Sequence, residues 1–108
     1  MAVRRFIASG LLGIACQMAG FLALPAHAAD KAFGEYLAGE CVTCHLPSGR
    51  QVGGIPAIAG MPEISFMALM ESYARRERDN QVMQAVAGKF NSDELAALAA
   101  YFASLKPE

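Results

Sequence analysis

Cys41-Val42-Thr43-Cys44-His45 is the segment whose reading decides the fold. Two thiols three residues apart, followed at once by a histidine, concentrate reactive side chains in one turn of chain. A zinc site built on them lacks an evident fourth ligand, and the adjacency of Cys44 and His45 strains a tetrahedron. A thioredoxin-like dithiol needs strands alternating with helices, and the chain shows no alternating apolar run long enough for a strand. A plain disulfide between Cys41 and Cys44 would leave the histidine, and the glycine-rich stretch after it, without a purpose.

What remains is C-x-x-C-H, the attachment signature of c-type haem. The spacing has a mechanical reason. Thiols three apart at a helix end can each bond one of the two vinyl groups on a haem edge, and the adjacent histidine then reaches the iron. One covalently bound haem c, held by Cys41 and Cys44 with His45 on the metal, is the expectation.

Upstream of the motif, the chain begins as an export signal does. Arg4 and Arg5 form a positive n-region, Phe6 to Leu24 an apolar run, and Ala26-His27-Ala28 a small-x-small cleavage site. Arg4-Arg5-Phe6-Ile7 also faintly resembles a twin-arginine signal. Cys16 is a poor lipobox cysteine, because Gly13 stands where a large aliphatic is wanted and the apolar run continues past it. The alternative to cleavage is a retained anchor, since the run is near bilayer-spanning length. The expected division is residues 1–28 as a cleaved signal peptide and residues 29–108 as a single periplasmic domain with no membrane association after cleavage.

Of the 108 residues, 80 then remain, with seven Lys and Arg against ten Asp and Glu and a formal charge of -3. His45 becomes the sole histidine, so no other residue can supply an imidazole. So little chain struggles to bury a sufficient core unaided, and a cofactor, metal or disulfide is the usual supplement. The charge excludes a nucleic-acid surface.

Downstream and around the motif the pattern is helices and loops, an all-α reading. A first helix is expected over 31–40, with Phe33, Leu37 and Cys41 spaced by four. A breaker-rich loop runs from Leu46-Pro47-Ser48-Gly49 through Gly53-Gly54-Ile55-Pro56 to Gly60-Met61-Pro62. A second helix begins near Pro62, taken as its first helical position, and carries Phe66, Leu69, Met70 and Tyr73 as a core-facing stripe. It ends in the polar cluster Arg75 to Asn80, read as a solvated helix end whose arginines suit the C-terminal dipole. A short helix over 81–87 is closed by Gly88. The last helix starts at a capping box of Asn91 and Glu94 and buries the stripe Leu95, Leu98, Phe102 and Leu105.

This order of elements resembles a class I cytochrome c over most of residues 31 to 105: a helix leading into C-x-x-C-H, a wrapping loop, a middle helix, a methionine segment and an amphipathic terminal helix. The resemblance implies the small all-α fold of that family, with first and last helices crossing in contact. Phe33, Gly34 or Leu37 would then meet Phe102 and its neighbours. It also implies that a proline carbonyl accepts the ring N–H of the haem histidine. Pro56, 11 residues after His45, sits at the matching place.

Four methionines follow residue 28: Met61, Met67, Met70 and Met83. Physics alone does not choose the iron's sixth ligand among them, since even the 16 residues from His45 to Met61 span roughly 50 Å when extended. Met67 and Met70 lie in or beside the stripe of the second helix, where methionine is usually core filler. Met61 competes from an irregular loop. The segments Gly54 to Gly60, Asn80 to Ala87 and Asp93 to Phe102 resemble the cytochrome subunit of flavocytochrome c sulfide dehydrogenases and related sulfur-oxidation cytochromes. That resemblance implies Met83 as the sixth ligand, with Met61 the alternative. Some members of that group carry two haems, whereas this chain has one C-x-x-C-H.

With histidine and methionine filling both axial positions, such a site favours one-electron transfer over chemistry at an open iron. Tyr73 and Arg50 are candidates to bind a haem propionate, each equally readable as an ordinary core or surface residue. The expected function is electron transfer without catalysis by the chain itself. The partner implied by the resemblance is a flavoprotein sulfide dehydrogenase subunit, or another redox protein. The alternatives are a diffusing carrier to a terminal oxidase and a haem enzyme or sensor with an open iron site.

Overall fold

The computed structural model describes residue 20 and residues 26–108. Arg4, Arg5, Cys16 and, apart from Gly20, the apolar run of the expected signal peptide lie outside the described residues. Among those described, four α-helices account for the regular structure: α1 (Ala26–Leu37), α2 (Glu63–Ala74), α3 (Gln81–Ala87) and α4 (Ser92–Ser104). No β-strand forms among them, the one isolated bridge joining Val52 to Ile55 across a turn. The fold is all-α, consistent with the small cytochrome c architecture the sequence implies. No described helix is long and apolar enough to cross a membrane.

Helix α1 starts and stops earlier than the 31–40 expectation. Its backbone is helical from Ala26, so the expected cut before Ala29 falls inside it, and it gives way at Ala38–Glu40 to a 3-10 turn. That tighter turn feeds directly into the Cys41 motif. Helix α1 packs on α4 through Gly34. A β-carbon at Gly34 would fall on the carbonyl of Ala97 and come within 2.9 Å of the Tyr101 Cβ. A mid-helix glycine costs about 1 kcal/mol relative to alanine. Here it lets two backbones approach where no side chain fits. Of the three residues expected at this crossing, Gly34 occupies it, Leu37 packs against the core, and Phe33 is 45 % exposed. Phe33 is therefore not part of the buried crossing, because the close backbone approach at Gly34 turns its neighbour outward.

Pro62 stands one residue before α2, at the N-cap, where its carbonyl accepts the amides of Ser65 and Phe66 at 3.0 Å each. At the other end, Arg76 adopts a left-handed conformation (φ 60°), the Tyr73 carbonyl accepts its amide, and the Ser72 carbonyl accepts the amide of Glu77. This is a Schellman closure with arginine where glycine is usual.

Helix α4 is the core of the molecule. The Asn91–Glu94 capping box forms as the sequence indicates. Of the expected stripe, Leu95, Leu98 and Phe102 are buried, whereas Leu105 stands past the helix end in extended backbone and is half-buried; Ala97, Ala99 and Ala100 are buried as well. Alanine on the remaining faces lets α1 and α2 both come close. Phe102 stacks on Phe66 of α2 with centroids 5.6 Å apart and meets Tyr101 edge-on. The Phe102 carbonyl accepts the Gly60 amide at 2.8 Å, tying the long loop to α4. Gly60 has a positive φ of 77° there and lies against Pro107, where a β-carbon would come within 3.1 Å of the proline Cδ.

Candidate cofactor site

The motif folds as a continuation of the 3-10 turn. Cys41 donates to the Ala38 carbonyl at 2.8 Å, and the Cys41 carbonyl in turn accepts the amides of Cys44 and His45 at 3.2 and 2.8 Å. Residues four apart in such a coil share a side, so Cys41 and His45 both turn inward and are buried, while Cys44 is exposed. Neither cysteine is in a disulfide. Among the described residues no three His, Cys, Asp or Glu side chains gather as a metal-holding group.

All three motif residues line one cleft of about 260 Å³ with Pro56. That volume is near the lower edge of the ~300–1,000 Å³ of small-molecule sites, and the cleft opens to solvent. His45 Nδ1 lies 2.6 Å from the Pro56 carbonyl oxygen. A carbonyl can only accept, so Nδ1 is the donor of this bond, and the contact turns the other ring nitrogen, Nε2, to the role of a metal ligand.

The other walls come from the loop and from two helices. Ile58 and Met61 belong to the loop; Phe66, Leu69, Met70 and Tyr73 to α2; Val82, Met83 and Val86 to α3. Three methionines therefore reach the cleft. Met70, expected as core filler, is buried at 5 % exposure yet faces this space as well, whereas Met67 packs on the core and is not among the lining residues. Met61 and Met83 are half-buried.

Charge is sparse in this lining. Among the described residues that line it, Glu40 and Arg78 are the only acidic or basic side chains besides His45. The Glu40 carboxylate accepts from Lys89 Nζ at 2.7 Å on the surface. Burial, with a smaller contribution from Glu40, pushes the Cys41 thiol up to about 11. Arg50 is exposed and absent from the lining. Of the two propionate candidates only Tyr73 reaches the cleft, because Arg50 lies on the outward turn where its amide bonds Ser48 Oγ.

Arg78 and Asn80 are cleft residues that sequence reasoning missed. The Arg78 guanidinium lies 5.2 Å over the ring of Tyr73. Asn80 caps α3. Arg78 follows a helix end, where periodicity carries no information, so no pattern marked it. It also separates the polar cluster into two roles: Arg75 pairs with Glu71 and Glu77 in solvent, and Arg78 turns to the cleft.

No family model matches the chain. It is similar to two curated proteins. The thiosulfate dehydrogenase electron acceptor of Thiomonas intermedia (strain K12) is 33% identical over 72 residues, covering 65% of this chain and 33% of that protein. The thiosulfate dehydrogenase electron acceptor of Stutzerimonas stutzeri (strain A1501) is 34% identical over 70 residues, covering 61% of this chain and 32% of that protein. The chain spans about a third of the length of these relatives.

Proposed function

We propose that this chain is a periplasmic electron-transfer protein carrying one covalently attached haem c, and that it accepts electrons from a dehydrogenase acting on a reduced sulfur compound. The observation that carries the haem reading is the His45 Nδ1 to Pro56 carbonyl contact within a cleft shared by Cys41, Cys44 and Met83. The donor set fits the group: two thiols for thioether links, an imidazole oriented through its Nδ1, and a thioether sulfur within an apolar lining. Bound there, haem supplies a reversible ferric–ferrous couple, which histidine and methionine axial ligation directs to electron transfer.

In this proposal Cys41 and Cys44 would tether the haem and His45 and Met83 would ligate its iron, with Met61 the competing thioether. Pro56 fixes the imidazole orientation through its carbonyl. Ile58, Phe66, Leu69 and Val86 keep water from the metal. The mature domain is residues 29–108 after removal of the signal.

The two relatives support a thiosulfate dehydrogenase as electron donor. A flavoprotein sulfide dehydrogenase is the second reading, favoured by the Gly54 to Gly60 and Asp93 to Phe102 segments quoted above.

Two measurements test the proposal. Acid denaturation and organic extraction should leave the haem in the protein layer, and Cys41→Ala with Cys44→Ala should release it and abolish cooperative folding, since the cofactor is a large share of the core. Haem passing wholly into the organic layer would falsify the covalent link. For the donor, stopped-flow reduction of the ferric protein should be fast with thiosulfate and its dehydrogenase and slow with sulfide and a flavoprotein; the opposite order selects the second reading.

A further inference from the structure

Helix α3 has seven residues, too few to be stable by itself, so its position depends on how its ends are tied. Two side-chain hydrogen bonds tie it to the segment just before it. Asn80 Oδ1 accepts the backbone N–H of Met83 at 3.0 Å. Gln84 Nε2 donates to the carbonyl of Arg78 at 2.8 Å. The first bond ends on Met83 itself and the second on the residue after it. Arg78 is in turn held over Tyr73 of α2, so the anchor of α3 extends into the cleft wall.

We infer that Asn80 is a positioning residue for the Met83 thioether: by capping α3 on the Met83 amide it sets how firmly that sulfur is presented to the cofactor cleft, with Gln84 as a second tether. The inference rests on the proposed haem reading and on Met83 as the sixth ligand. Of the four N–H groups that a helix start leaves without intrahelical partners, the cap satisfies the one belonging to the residue whose side chain enters the cleft. Losing it frees the first turn of α3 to fray, and the sulfur leaves the metal more often. A cap elsewhere in the molecule has no such connection. Asn91 provides the comparison, since it makes the same kind of bond to Glu94 on α4, and neither residue lines the cleft.

The test uses ferric holoprotein and imidazole as the displacing probe. At saturating imidazole the observed rate reports departure of the methionine. Asn80→Ala should raise that limiting rate about three- to tenfold, the loss expected for a helix cap, and weaken the long-wavelength sulfur-to-iron band. Asn80→Asp should restore both, because aspartate caps equally well. Gln84→Ala should give a smaller rise in the same direction. Asn91→Ala should lower the denaturation midpoint while leaving the rate unchanged. An unchanged rate in Asn80→Ala, or an equal rise in Asn91→Ala, overturns the inference. If Asn80→Ala does not accumulate, an unchanged rate in Gln84→Ala overturns it. Met83→Ala separates the two levels. Loss of its band supports the ligand reading whatever Asn80 does, and persistence of the band rejects that reading and this inference together.

Discussion

The ring Nδ1 of His45 and the carbonyl oxygen of Pro56 lie 2.6 Å apart across 11 residues of loop. The contact fixes how the imidazole is oriented in the cleft. It depends on a backbone atom, so the identity of residue 56 matters only through the path of the chain.

Pro56→Ala keeps the acceptor and should therefore leave the visible spectrum of the holoprotein unchanged. Stability should fall by about 0.4–1 kcal/mol, the entropy that proline removes from the unfolded chain. Denaturant titration followed at the haem band checks both. A shifted spectrum would mean that the pyrrolidine ring, and not the carbonyl, sets the histidine.

Met83→Ala should abolish the weak sulfur-to-ferric band and lower the reduction potential, whereas Met61→Ala should leave both nearly intact. The reverse pattern moves the sixth ligand to Met61. Because Met70 also faces the cleft, Met70→Leu completes the set, with loss of the band only there assigning the ligand to α2.

Gly34→Ala should destabilise the protein by about 1–3 kcal/mol despite alanine's better helix propensity, because its β-carbon meets the Ala97 backbone and the helices must part. For a domain of this size each kcal/mol shifts the melting temperature by about 4–8 °C. An unchanged or raised melting temperature would mean that α1 does not cross α4 at this point.

Arg76→Gly should act in the opposite direction. With φ at 60° and an exposed side chain, Arg76 bears a left-handed backbone that glycine adopts freely. A gain of about 0.5–1 kcal/mol is expected, read by thermal denaturation. A loss would show that the side chain contributes contacts exceeding the backbone strain.

The local features were legible from the chain alone, for a local reason. Asn91 and Glu94 are three residues apart and close their capping box without help from the rest of the molecule. Gly88 and the spacing of Leu95, Leu98 and Phe102 likewise act within a turn or two. The motif is contiguous, so Cys41, Cys44 and His45 could be read as one unit.

Where packing at long range decides, the same reading ran out. Sequence spacing offered Phe33, Gly34 and Leu37 alike for the helix crossing, and only the approach of Ala97, 63 residues on, selects Gly34. Chain reach admitted every methionine, while the placement of α2 and α3 brings Met61, Met70 and Met83 to the cleft and turns Met67 to the core. Sequence reading offered Arg50 for a propionate and left Arg78 in a solvated helix end, and only the chain path after α2 carries Arg78 over Tyr73. The sequence by itself determined which helices form and which segment bears the chemistry, because caps, periodicity and a five-residue motif operate within a few residues. Tertiary structure alone decided which side chains share the cleft, because that depends on how separately formed helices meet.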